Sequence, residues 1–169
     1  MKKKLFIVFS VLLFVGSSTS AQNTTSRITV NKGVSVDVYF NHLDDYADGI
    51  ILSGHTELDI YFNETDAGGN GIGDGWQLSI KPDGHLVSVF SADYIDINII
   101  EVEVYDAAAG TTELYELENL EKVIASGTQN LAFTNTIAIS YKIGVTNPIN
   151  KVSNERYVAL LEFTLEPKP

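Results

Sequence analysis

Apolar residues recur at every second position along most of the chain. Ile28, Val30, Val34, Val36, Val38 and Phe40 share one parity, while Thr29, Asn31, Ser35 and Asp37 fill the other. Successive side chains of a strand point to opposite faces, so the spacing predicts a half-buried strand over 28–40. Leu58, Ile60 and Phe62 repeat the pattern, and Trp76, Leu78 and Ile80 repeat it ahead of the turn-forming Lys81-Pro82-Asp83-Gly84. A short strand is predicted over Leu86 to Phe90. Ile95, Ile97 and Ile99 then hold one parity and Ile100, Val102 and Val104 the other. Such a switch marks a β-bulge or a change of sheet. Two more strands are predicted, one from Ile137 through Ile139, Tyr141 and Ile143 to Val145, the other from Tyr157 through Ala159, Leu161 and Phe163 to Leu165.

Turn residues separate these runs at Asp48-Gly49, Asp66 to Gly75, Ala109-Gly110, Ser126-Gly127 and Asn147-Pro148. One stretch competes for helix: Leu114, Leu117, Leu120 and Ile124 fall near helical spacing, and the Glu and Lys around them favour it. Residues 112–124 therefore read equally as a short helix or a pair of strands. Eight or nine short strands joined by polar turns predict an all-β fold, an antiparallel two-sheet β-sandwich of immunoglobulin-like or pilin-like type.

Composition adds the compartment. Lys2, Lys3 and Lys4 precede the apolar stretch Leu5 to Val15, and small residues follow from Gly16 to Ala21. That is the layout of a secretory signal peptide over 1–21, leaving 22–169 as one domain in the periplasm, at the cell surface or outside the cell. The apolar stretch is well short of the ~20 residues that span a bilayer. With no cysteine in 169 residues, the core must hold the exported domain without disulfides. The net charge is −11, and loss of the first 21 residues, which hold three lysines and no acid, takes it to −14. A surface that acidic repels phosphate backbones and argues against nucleic-acid or anionic-lipid partners.

Candidate chemistry is sparse. Asp66, Asn70 and Asp74 stand four apart in a run holding five glycines in ten residues. Calcium takes six to eight oxygen ligands, which a glycine-rich loop can supply, so these three are the candidate metal residues and calcium the candidate cofactor; the alternative is a plain surface loop. Asp44, Asp45 and Asp48 form a second acidic group, read either as part of a cation site or as a solvated connection. His42, His55 and His85 lack metal-ligand spacing, and no nucleophile elbow or other catalytic signature is present, so no enzyme is predicted. Trp76 lies on the apolar parity of its strand and reads as core. Tyr39, Tyr61 and Tyr105 lie on or beside polar parities and are the candidate contacts for a sugar or protein ligand.

The run Val38-Tyr39-Phe40, Tyr46-Ala47-Asp48-Gly49-Ile50, Gly75-Trp76-Gln77-Leu78-Ser79-Ile80, Ile139-Ser140-Tyr141-Lys142-Ile143 and Tyr157 to Leu165 resembles small exported bacterial β-sandwich proteins of the fimbrial-subunit type. Trp76-Gln77-Leu78 is similar to a motif of wall-attached WxL surface domains. Chaperone–usher pilins commonly carry a disulfide and a C-terminal Tyr-containing donor-recognition strand, whereas this chain has no cysteine and ends Glu166-Pro167-Lys168-Pro169, which argues against assembly by that route. The resemblance implies a secreted structural or adhesive module without catalytic residues. Its expected partners are surface proteins, or further copies meeting at edge strands such as 28–40 or 157–165. The alternative reading is a carbohydrate-binding module supported by calcium.

Overall fold

The computed structural model describes residues 23–33, 35–129, 135–149 and 153–169. The expected signal peptide and Val34 lie outside the described residues. The chain folds as β1 (Asn23–Lys32), β2 (Val36–Tyr39), α1 (Leu43–Ala47), β3 (Ile50–Thr65), β4 (Trp76–Pro82), β5 (Leu86–Ser88) and β6 (Tyr94–Ile95). A 3-10 turn over Ile97–Ile99 leads into β7 (Ile100–Asp106), β8 (Thr111–Glu116), β9 (Lys122–Gly127), β10 (Asn135–Ile143), β11 (Arg156–Ala159) and β12 (Leu161–Pro167). Among the described residues no helix is long and apolar enough to cross a membrane.

The fold is an all-β, antiparallel sandwich, with twelve strands among the described residues rather than the eight or nine expected. One layer is a five-stranded sheet in the order β1-β3-β10-β7-β8. The second is divided into a four-stranded sheet, β2-β11-β5-β6, and a three-stranded sheet, β12-β4-β9. The division follows from two interruptions at the same level. Leu160 separates β11 from β12, Asp83 to His85 separate β4 from β5, and Asp83 N–H bonds the Leu160 carbonyl at 3.0 Å. Pro82, without an N–H, closes β4 there.

The alternate residues named by periodicity make the core. Leu58, Ile60, Phe62, Ile137, Ile139 and Ile143 of the large sheet, and Val38, Phe40, Trp76, Leu78, Ile80, Leu86 and Tyr157 of the other layer, belong to one buried cluster. The parity switch at Ile100 is a change of sheet. The 3-10 turn carries the chain from β6 in the four-stranded sheet to β7 in the five-stranded one, and Ile97, Ile99 and Ile100 are all buried.

Three expected elements are corrected. The single strand expected from Tyr157 to Leu165 is two strands in different sheets, parted at Leu160, and only β12 is an edge, since β11 lies between β2 and β5. The single strand over 28–40 is two strands in different sheets, broken at Gly33, whose φ is +71°. A Cβ there would sit 2.2 Å from the His55 carbonyl oxygen, so a side chain would block the crossing. Residues 112–124 form no helix but the strands β8 and β9, each paired with a strand of a different layer. Of the four residues at helical spacing only Leu117 and Ile124 are buried, while Leu114 and Leu120 are exposed. Pairing with β7 and β4 satisfies their backbones and overrides local propensity.

Two features tie the core together. Tyr141 is buried and donates its hydroxyl to Thr56 Oγ1 at 3.0 Å, because Thr56 donates its own proton to the Gly33 carbonyl at 2.9 Å. Burial pushes the Tyr141 phenol up to about 12. Trp76 lies opposite Gly127 in the β4–β9 pair, and a Cβ on Gly127 would meet the indole at 2.7 Å.

A phenol whose ionisation is raised by folding contributes stability that is intact below pH 10, the ordinary value, and is lost as pH rises towards about 12. Urea melts at stepped alkaline pH should show that loss, and Tyr141→Phe should reduce it while costing about 1 kcal/mol at neutral pH for the missing hydrogen bond. Gly127→Ala should lower stability by roughly 1–3 kcal/mol through overpacking against Trp76, read from the urea midpoint at neutral pH.

Candidate functional site

The glycine-rich loop is built around Asp66. Its Oδ1 accepts the backbone N–H of Gly68 at 2.8 Å and of Asn70 at 2.9 Å, and Asn70 Nδ2 reaches Oδ2 at 3.0 Å. Asp66 N–H bonds the Asn70 carbonyl at 2.9 Å, closing the turn from both sides. These donors, the Asn70 side chain first, hold the Asp66 carboxyl below the usual carboxylate value. Of the three candidate ligands, Asp66 and Asn70 thus bond each other, and Asp74 stands exposed beyond them. Gly73 lies over the buried Glu64, whose Oε2 would be 2.1 Å from a Cβ at that position.

The other acidic group and the histidines are spread apart. Asp45 Oδ2 accepts the backbone N–H of Asn41 at 3.0 Å and of His42 at 2.9 Å, capping α1. His55 Nε2 lies 2.9 Å from the Ser35 carbonyl, and its ring meets Tyr141 edge-on at 5.8 Å. His85 pairs with Asp96 at 3.1 Å. Among the described residues no three His, Asp or Glu side chains converge as metal ligands would.

The three candidate tyrosines do not form one site. Tyr61 and Tyr105 both lie on the outer face of the five-stranded sheet. Register places them roughly 16 Å apart by strand rise and spacing, with Glu57, Asp59 and Thr136 between. Arg27 covers the Tyr61 ring at 5.8 Å. Tyr39 belongs to the four-stranded sheet, on the opposite layer. Trp76 is fully buried, as its parity predicts, and is closed to any ligand.

Around Tyr39 the four-stranded sheet gathers five exposed apolar side chains among the described residues: Tyr39, Val87, Val89, Phe90 and Tyr94. One row across its outer face runs Asp37, Val158, Val87, Tyr94; the next holds Tyr39, Arg156 and Val89. Tyr39 is 51% exposed, Tyr94 63% and, at the rim, Phe90 75%. Ser88 Oγ fixes that rim by accepting the N–H groups of Phe90 and Ser91, each at 3.0 Å. The His85 ring lies against Tyr94 with centroids 4.9 Å apart. Arg156 grips Asp37 through Nε, at 2.8 and 3.0 Å, and through Nη2. That pair holds the Asp37 carboxyl below its ordinary value and leaves the middle of the face electrically balanced. Tyr94, Val87, Val89 and Phe90 were missed from the sequence, although Leu86 to Phe90 carries apolar residues on both parities. A strand apolar on both faces, at the surface of a sheet, is the signal for a contact patch.

A cleft of about 270 Å³ opens on another side, where β8 and β9 diverge as edges of different sheets. Val104, Val123, Ile124 and Ala125 form its apolar part, and Asp106, Glu113 and Tyr115 its polar part. Both carboxylates are engaged. Asp106 Oδ1 accepts from the N–H groups of Ala108 at 2.8 Å and Ala109 at 3.1 Å, and Glu113 accepts from the Tyr115 hydroxyl. Burial, and after it Glu113, pushes the Tyr115 phenol up to about 12.

A scan against protein-family models finds no match, and no curated protein matches the chain.

Because Asp66 ionises more readily in the folded loop, its contribution is present above the usual carboxylate range and fades as pH falls through its lowered value. Asp66→Ala should speed amide exchange at Gly68 and Asn70, measured by NMR at neutral pH. Millimolar calcium should leave those rates unchanged in the parent protein, since the Asp66 oxygens already serve the loop.

Proposed function

We propose that the chain is an exported, non-catalytic β-sandwich module that works in adhesion or surface assembly, with the outer face of the four-stranded sheet as its adhesive surface. The observation that carries the reading is the continuity of Tyr39, Val87, Val89, Phe90 and Tyr94 across one exposed face. Exposed aromatic rings cost little conformational entropy on binding and offer both apolar area and a polar tip. Export is supported by the basic, apolar and small-residue succession over 1–21, and the non-catalytic role by the want of any catalytic signature in the sequence.

A second reading, carbohydrate binding, is favoured by one arrangement. Tyr39 stands beside the Arg156–Asp37 pair, and Tyr94 stands beside the His85–Asp96 pair. A ring can lie on the apolar face of a sugar while neighbouring polar groups bond its hydroxyls. Calcium has no part in this form of the reading, because the Asp66–Asp74 loop is a separate structure.

The purified chain should bind bacterial cell envelopes, and Phe90→Ser with Tyr94→Ser should abolish binding while changing stability by less than about 0.5 kcal/mol per site. Tyr61→Ser and Tyr105→Ser should leave binding intact. A glycan array separates the two readings: retention on defined glycans, lost with Tyr39→Ser and Tyr94→Ser, selects carbohydrate, and retention on envelope protein alone selects the first. An unmodified chain that binds neither overturns both.

A further inference from the structure

We infer that copies of this chain join head to tail, the open edge of β8 in one copy pairing with β1 of the next, so that the five-stranded sheets run on as one. The inference rests on the assembly half of the proposed function and uses a surface separate from the adhesive face.

Among the described residues β1 pairs only with β3, and β8 only with β7, so the two are opposite edges of the same sheet. Unpaired strand edges present rows of N–H and C=O groups that template a further strand. Here the charges guarding each edge are opposite in sign. β1 contains Arg27 and Lys32 and no acid, whereas β8 contains no base and two acids, Glu116 on the outer face opposite Glu101 and Glu113 on the inner face opposite Val104. Two β8 edges would set Glu against Glu, and two β1 edges would set cation against cation. Only the unlike pairing is attractive.

Direction and facing agree with it. Four successive antiparallel pairings leave β1 and β8 pointing the same way. A copy displaced sideways without rotation therefore offers β1 parallel to β8, with inner faces aligned. Arg27 and Lys32 then join Glu116 on the outer face. On the inner face, Ile28 and Val30 arrive beside the β8–β9 cleft. Val30 is 44% exposed although it shares the covered face of its sheet, and Val123 in the cleft is 45% exposed. Each is the partner the other lacks at its own edge. An unlike contact repeated by a sideways shift without a closing rotation leaves one free edge at each end, so the product is a filament.

The test is sedimentation of the purified full-length chain across a concentration series at low and high salt. The expected result is a ladder of dimer, trimer and larger species that grows with concentration and dissolves in high salt, where surface charges are screened. The double variant E113K/E116K alone and the double variant R27E/K32E alone should each stay monomeric with unchanged circular dichroism. Mixed in equal amounts, they should regain the ladder, because each then meets an edge of opposite sign. A parent chain that stays monomeric at all concentrations overturns the inference, as does a dimer that grows no further or is indifferent to both reversals. Binding to envelopes by the monomeric variants would show that adhesion stands even where assembly fails, and a Phe90→Ser, Tyr94→Ser chain that still forms the ladder would show the converse.

Discussion

The large sheet depends on the alternation of β10. Ile137, Ile139, Tyr141 and Ile143 face the core between β3 and β7, each buried to 1% exposure or less, while Thr136, Ala138, Ser140 and Lys142 face out. A slip of one residue would carry Lys142 inward and put the four apolar side chains in water. The register is pinned at one place. Between Ile139 and Tyr141 the pairing with β3 shifts, Gly54 takes φ +49°, and its N–H bonds Ser140 Oγ at 2.9 Å. That bulge lets the sixteen residues of β3 bend while keeping their apolar positions on the covered side.

Periodicity made the interior legible because burial acts on single residues. Leu58, Ile60, Phe62, Trp76, Leu78, Ile80 and the β10 set could be named without knowing any strand's neighbour. Partner choice was not legible, because it is decided by backbone hydrogen bonds between segments far apart in the chain. Val30 and Val36 therefore looked like one strand, and only the approach of Gly33 to β3 shows why they are two. Leu114 to Ile124 looked equally like a helix until β7 and β4 supplied edges to pair with. The candidate site was legible in part. Tyr39 was named for its parity, but Tyr94 and Phe90 join it only through the pairing of β5 with β6 and β11. Tyr61 and Tyr105 met the same parity criterion and landed on the other layer.

The two outer faces divide the charge of the molecule unequally. The outer face of the five-stranded sheet carries Glu57, Asp59, Glu103, Glu116 and the buried Glu101 against Arg27, Lys32 and Lys142, and Lys142 is held by Glu103 at 2.5 Å. The four-stranded sheet matches Arg156 to Asp37 and leaves rings and valines around them. A neutral, aromatic face on an acidic protein discriminates by what surrounds it. In the adhesive reading proposed above, the surrounding negative charge would disfavour polyanions over uncharged or basic surfaces.

The seating of Trp76 has a consequence for optical work. It is the single indole in the chain, sealed between β4 and β9 at the far end of the divided layer. Its emission is thus a gauge of that seam alone. A fluorescence transition dates the parting of Gly127 from the ring and is silent about events among the tyrosines of the other sheet. Comparing it with far-ultraviolet dichroism, which averages every strand, would reveal whether the two parts of the divided layer come apart together.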